Sequence, residues 1–214
     1  MTRLTRRALA LGLAALPLPA LAQRAPATPL SAADQALVDR AAAYLQSLTE
    51  AKGRFVQTDA RGSTTQGTLY LKRPGKARFE YDAPSKLLVV SDGGNVSIAD
   101  GRLKTFEAYP LMATPLSIFL ARQIRFDKNI VISRVARMAD GFSITARDGK
   151  KEAEGQITLT FSDNPLALIG WTVTDAQGGS TRIRLTQLTK TTGLASSLFV
   201  LKDPRPKNVG RSKS

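Results

Sequence analysis

The chain contains no cysteine and no histidine. The first absence excludes disulfides, thiolate metal sites and a cysteine nucleophile. The second excludes imidazole metal ligands and any Ser–His–Asp triad. Acid is scarce: 17 Asp and Glu stand against 31 Lys and Arg, a formal net charge of +14. Seven of those acids sit in turn sequences (Asp59, Asp92, Asp100, Asp140, Asp148, Asp163, Asp175). There a carboxylate serves its own Asx hydrogen bond and is not placed for acid–base work. Paired carboxylates, a Gly-rich phosphate loop and a G-x-S-x-G elbow are all missing. The sequence therefore predicts no enzyme, no cofactor and no metal.

Long apolar runs are also missing, with one exception. Arg3, Arg6 and Arg7 precede an apolar run from Ala8 to Leu21, and Ala20-Leu21-Ala22 is a small-x-small cleavage signal. This predicts a signal peptide over 1–22, export by the general or the twin-arginine route, and a mature chain from Gln23. Losing the three arginines leaves +11 of the +14. That excess points to an anionic partner or a solvated surface. Nucleic acid is not expected, because aromatic-rich basic motifs are missing.

What is present is alternation. From Gln66 to Lys72, Leu69 and Leu71 share one face; from Lys76 to Tyr81, Ala77, Phe79 and Tyr81 do. A period of two marks half-buried antiparallel strands, and Pro74-Gly75 makes the turn between them. Leu87–Val90 is a third, continuously apolar strand, closed by Asp92-Gly93-Gly94. Arg73 breaks the pattern: it falls on the greasy face at the strand's end. Further strands are expected over 54–58, 96–99, 102–107, 130–134, 142–147, 156–161, 166–174 and 181–188, with a short last strand or helix-flanking segment over 198–201.

Two helices are expected. Ser31 is the N-cap of the first, with Leu37, Val38, Ala41, Tyr44, Leu45 and Leu48 at helical spacing and Gly53 as its stop. Thr114 caps the second, with Pro115 at its first position and Leu116, Phe119, Leu120 and Ile124 on its apolar side. Residues 23–30 read as a flexible leader and 202–214 as a mobile basic tail. The fold class is mostly β: one domain over 31–201, a single antiparallel sheet of nine to eleven strands. So much sheet must curl, and its concave apolar side needs the two helices as cover. Leu69, Leu71, Ala77, Phe79, Tyr81, Leu88, Val90, Ile157, Leu159, Phe161, Trp171, Ile183 and Leu185 are the candidate lining. The residues alone leave open whether they enclose a cavity or fill a core.

The run "LKRPGKARFEYDAP" followed by "LLVVSDGG" resembles the signature of the LolA-like periplasmic lipoprotein carriers. "GRFVQT" and "GTLYL" resemble that family's first strands, "TPLSIFLARQI" its middle helix, and "LTFSDNPLALIGWTVTDAQGGSTRIRL" its closing strands. The in-order matches span roughly Leu37 to Leu201.

The resemblance implies a half-open β-barrel whose concave side, lidded by helices, shelters the acyl chains of lipoproteins. It implies a periplasmic monomer that takes lipid-modified proteins from an inner-membrane release complex to an outer-membrane acceptor. It gives Arg73 the role of tying the lid to the barrel, with partner carbonyls placed near Tyr109 to Phe119. Departures from the family pattern are Ala77 in place of an aromatic, Phe79 in place of Trp, and the basic tail; they bear on cargo. A lipid-anchored receptor of the same fold is excluded, because anchoring needs a cysteine. A carrier of another lipid, or an envelope sensor of lipid or lipoprotein, are the alternative readings.

Overall fold

The computed structural model describes residues 29–126, 130–150 and 155–203. The expected signal peptide, nearly all of the leader and the tail beyond 203 lie outside the described residues.

The chain opens with helix α1 (Ala32–Ser47) and then runs through strands β1 (Glu50–Thr58), β2 (Thr64–Lys72), β3 (Lys76–Tyr81), β4 (Leu87–Asp92), β5 (Asn95–Asp100) and β6 (Thr105–Pro110). A 3-10 turn (Leu111–Ala113) and helix α2 (Leu116–Leu120) follow. Strands β7 (Ile130–Met138), β8 (Gly141–Asp148), β9 (Gln156–Asp163), β10 (Leu166–Thr174) and β11 (Ser180–Lys190) complete the sheet, and a 3-10 turn (Ser196–Phe199) comes last. All eleven strands form one sheet in the order β6-β5-β4-β3-β2-β1-β11-β10-β9-β8-β7. Every pairing is antiparallel. The edges β6 and β7 do not pair with each other, so the barrel stays open.

The curl is strong. Strands β3 and β10 lie four strand spacings apart in the sheet, about 19 Å if it were flat. Yet the Phe79 and Trp171 ring centroids are 6.0 Å apart. Closing that distance brings the inward residues of both halves into one core, with α1 and α2 packed into it. Ser31 caps α1 as expected, its hydroxyl accepting from the Asp34 amide at 3.1 Å.

Several expectations are corrected. Gly53 does not stop α1, which ends at Ser47 with Leu48 as C-cap. It lies inside β1, where a Cβ would stand 2.1 Å from the Gln187 carbonyl oxygen. Its requirement is therefore close strand approach, not a helix stop. Thr114 does not cap α2 through its side chain; its hydroxyl donates to Leu111 O at 2.9 Å, and Pro115 takes the N-cap position. The second hairpin turns over 101–104, two residues later than Asp100-Gly101 suggests, because β5 keeps Asp100 paired to Thr105. The terminal segment is a 3-10 turn, not a strand.

Surface electrostatics predict a pH profile. Each of five carboxyls is held below its ordinary value by a hydrogen bond: Asp34 by Ser31, Glu50 by the Leu194 amide, Asp82 by Arg54, Asp92 by the Asn95 amide and Asp100 by the Leu103 amide. A depressed folded value contributes stability that is present above the unfolded pKa and lost as pH falls through the folded one. With no histidine to titrate, Tm is expected to be flat from about pH 5 to 8 and to fall below about pH 4. A thermal melt series across that range checks it; a step near pH 6 would contradict it.

Candidate functional site

The β2–β3 turn, Arg73-Pro74-Gly75, is where sheet and helices are tied together. A helix leaves its last carbonyls unpaired and slightly negative, and neither α1 nor α2 carries a basic residue in its last turn. Arg73 supplies that cation to both. Its guanidinium donates to Leu45 O of α1 and, at 2.6 Å, to Ala121 O just past α2. The same turn donates Gly75 N to Leu120 O at 2.8 Å and Arg73 N to Thr49 O at 2.7 Å. Gly75 has φ +77°, and a Cβ there would meet Gly93 Cα at 2.7 Å, so both backbone and space call for glycine.

Burial lowers the Arg73 pKa from its ordinary value, yet a guanidinium stays protonated at neutral pH. The Nε of Arg73 is buried with no hydrogen-bond partner among the described residues. The partner carbonyls therefore differ from the expected stretch near Tyr109 to Phe119: one is on α1, and the other is Ala121. No sequence pattern marks a carbonyl as an acceptor.

Gln46 is a second tie, and sequence reasoning missed it. From α1 its amide donates to Arg122 O at 3.2 Å and accepts from Ile124 N at 2.9 Å. It brackets the backbone after α2 as a missing strand neighbour would. An exposed Gln on a helix gives no signal of this in one sequence.

Below these ties lies the apolar face. Leu69, Leu71, Ala77, Phe79, Tyr81, Ile157, Leu159, Phe161, Trp171, Ile183 and Leu185 all face inward and belong to one core cluster. Phe119 of α2 stacks on Trp171 at 5.5 Å, and Tyr44 of α1 meets Phe161 edge-on at 6.2 Å. Leu116 is half-buried against the cluster, while Phe119 and Leu120 are buried in it. Burial pushes the Tyr81 hydroxyl up to about 12, so it stays neutral and donates to Gln57 Oε1 at 2.5 Å.

Two of the expected lining residues do not belong. Leu88 pairs with Glu80 and Val90 with Arg78, which places both on the convex side. Val89, opposite Phe79, and Leu87 point inward instead. In a continuously apolar strand the pattern cannot tell the two faces apart. Val90 is buried because the terminal 3-10 turn covers that side of the sheet: Phe199 is buried there, and Arg78 donates to Leu198 O. Sequence reasoning also missed Phe55, which contacts the rings of Phe79 and Tyr81 at 5.5 and 5.1 Å, and Phe142, stacked on Phe161 at 5.2 Å.

The inward face is thus a filled core in this state. Pockets of about 760 and 540 Å³ lie elsewhere, one at an end of the sheet around Lys86 and Arg102, the other around Arg134 and Thr158. Any guest on the concave face must displace α1 or α2. Helix α2 spans only five residues, too short to persist without its packing, and is the easier to move.

Known proteins resemble this chain in sequence over most of its length. The family model described as "Outer membrane lipoprotein carrier protein LolA" matches residues 46–202. An outer-membrane lipoprotein carrier protein of Chromohalobacter salexigens is 28% identical over 210 residues, covering 95% of this chain and 96% of its own. One from Methylobacillus flagellatus is 28% identical over 173 residues, covering 76% of this chain and 82% of its own. Among solved structures, a LolA superfamily protein from Nitrosomonas europaea superposes with a TM-score of 0.47 at 9% identity, covering 78% of this chain and 97% of that one. No helix among the described residues is long and apolar enough to cross a membrane.

Proposed function

This chain belongs to the LolA family of outer-membrane lipoprotein carrier proteins, and from that premise we propose that it carries lipid-modified proteins through the periplasm with their acyl chains sheltered on the concave face of its sheet. Cargo would be received from a release complex at the inner membrane and given up to an acceptor at the outer one. The observation that carries this reading is the pair of lid helices, sealed over an apolar face and latched by polar groups from a single turn.

The energetics suit a carrier. Acyl burial contributes about 0.8 kcal/mol per methylene, so ten methylenes give about 8 kcal/mol. Expelling Ile118, Phe119 and Leu120 from the core costs roughly 1.5–3 kcal/mol each. The two sums are comparable, so guest and lid compete near balance for one surface. The latch hydrogen bonds then decide which wins. Loading breaks them, and reforming them favours release. No covalent chemistry is needed.

Trp171 is the chain's one tryptophan and reports this exchange directly, because it lies under Phe119. A fatty-acyl probe brominated along its chain should quench Trp171 by contact, and the unlabelled acyl chain should compete. Lipoprotein stripped of its acyl chains should not compete. Absence of quenching at saturating probe would overturn the concave-face site.

Gln46→Leu removes the smaller latch. Its two neutral hydrogen bonds, one exposed and one part-buried, are worth about 1 kcal/mol together once water competes for them. Loss of closed-state stability should tighten acyl-probe affinity by roughly fivefold, with Tm little changed. Affinity equal to the parent's would show that Gln46 does not oppose opening.

A further inference from the structure

At the end of the sheet remote from Arg73, the turns at 59–63, 82–86 and 101–104 lie side by side, since β1, β3 and β5 all finish there. Three carboxylates lie in these turns or at their start, and all are engaged. Asp59 accepts from the amides of Arg61 and Ser63, Asp100 from those of Arg102 and Leu103, and Asp82 is paired with Arg54. The side chains of Arg61, Lys86, Arg102 and Lys104 are exposed, and none forms an ion pair with an acid among the described residues.

Leu103 stands between Arg102 and Lys104 at the tip of the β5–β6 hairpin, 61% exposed. A single exposed leucine needs no explanation, but one flanked by two exposed cations beside a cleft has the chemistry of a surface anchor. The cleft is the 760 Å³ pocket. Lys86 and Arg102 stand on its wall with the hydroxyls of Thr64, Thr65 and Ser85, and Asp82 and Asp100, both already engaged, line it as well.

We propose that this end of the sheet docks the protein on an anionic phospholipid surface, with Leu103 entering the boundary between headgroups and acyl chains and the pocket holding one headgroup phosphate between Lys86 and Arg102. Cations near such a surface are attracted through the Debye length, and the adjacent turns present four at one end of the sheet. The latch is at the opposite end, so docking leaves the helices free to move. The inference stands apart from the carrier reading, because membrane docking is scored without reference to cargo.

The test is co-sedimentation of the purified exported protein with vesicles of phosphatidylglycerol and phosphatidylethanolamine, against vesicles of phosphatidylcholine. Binding is expected to the anionic vesicles alone and to weaken with salt. Lys86→Ala with Arg102→Ala should reduce it at least tenfold, since each cation contributes about fivefold. Leu103→Asp should reduce it roughly tenfold or more, because it replaces an apolar side chain at the anchor with a charge of the surface's own sign. All variants should quench normally with the brominated acyl probe, which separates docking from the concave-face site. Parent-like sedimentation of these variants would overturn the proposal. So would equal binding to both kinds of vesicle, binding of free glycerol phosphate without vesicle binding, or salt-sensitive capture of an acidic protein with none of vesicles.

Discussion

Arg73→Leu is expected to accept lipoprotein and fail to release it. The substitution keeps an apolar stem and deletes the donors to Leu45 O and Ala121 O. Hydrogen bonds from a charged donor are worth roughly 1.5–3 kcal/mol each, and on the proposed reading both are lost when the lids open. On the carrier reading proposed above, closed and empty is the state in which cargo departs. Removing its stabilisation shifts the balance toward the loaded state by more than the 1.36 kcal/mol that corresponds to a tenfold change. Transfer of bound lipoprotein to the outer-membrane acceptor should therefore fall at least tenfold, about the discount left after losing a buried, desolvated charge. Acyl-probe affinity should rise in step. The variant should still fold, because it leaves no orphaned charge, although the Leu45 and Ala121 carbonyls lose their donor. Normal transfer together with a lowered melt would reduce Arg73 to a helix-capping residue without a gating role.

The largest loss of stability is expected from Phe161→Ala. Phe161 is 0% exposed, stacked on Phe142 and met edge-on by Tyr44. It is the point where β8, β9 and α1 converge, so the void left by its ring has no single neighbour free to fill it. Phe→Ala in such a core costs about 3–5 kcal/mol. For a chain of this size that corresponds to a Tm lower by roughly 10 °C. The Phe119–Trp171 stack belongs to the other helix, so Trp171 emission in the folded variant should match the parent's. A Tm within a few degrees of the parent, measured by calorimetry, would mean that α1 collapses into the void. In that case the closed state is more plastic than its packing implies.

The sequence determined the strands, their approximate ends and the greasy face of most of them, because a period of two is a local property of the chain. Leu69 and Leu71, then Phe79 and Tyr81, could be assigned a face from their neighbours alone. It also determined both helices and the Ser31 cap, and it marked Arg73 as a charge out of place on an apolar face. It could not assign faces within Leu87–Val90, where every residue is apolar and the register against β3 alone decides that Val89 points inward and Val90 outward. Nor could it give Gly53 its reason, since the Gln187 carbonyl that crowds it comes from a strand far along the chain. The partners of Arg73 and the bracket made by Gln46 are backbone groups, which no residue type announces. Whether the inward residues fill a core or line a cavity was settled in this state by packing: α1 and α2 come down on a sheet curled tightly enough to bring Phe79 against Trp171. That contact depends on the summed twist of strands from both halves of the chain, a quantity that exists only once the sheet is assembled.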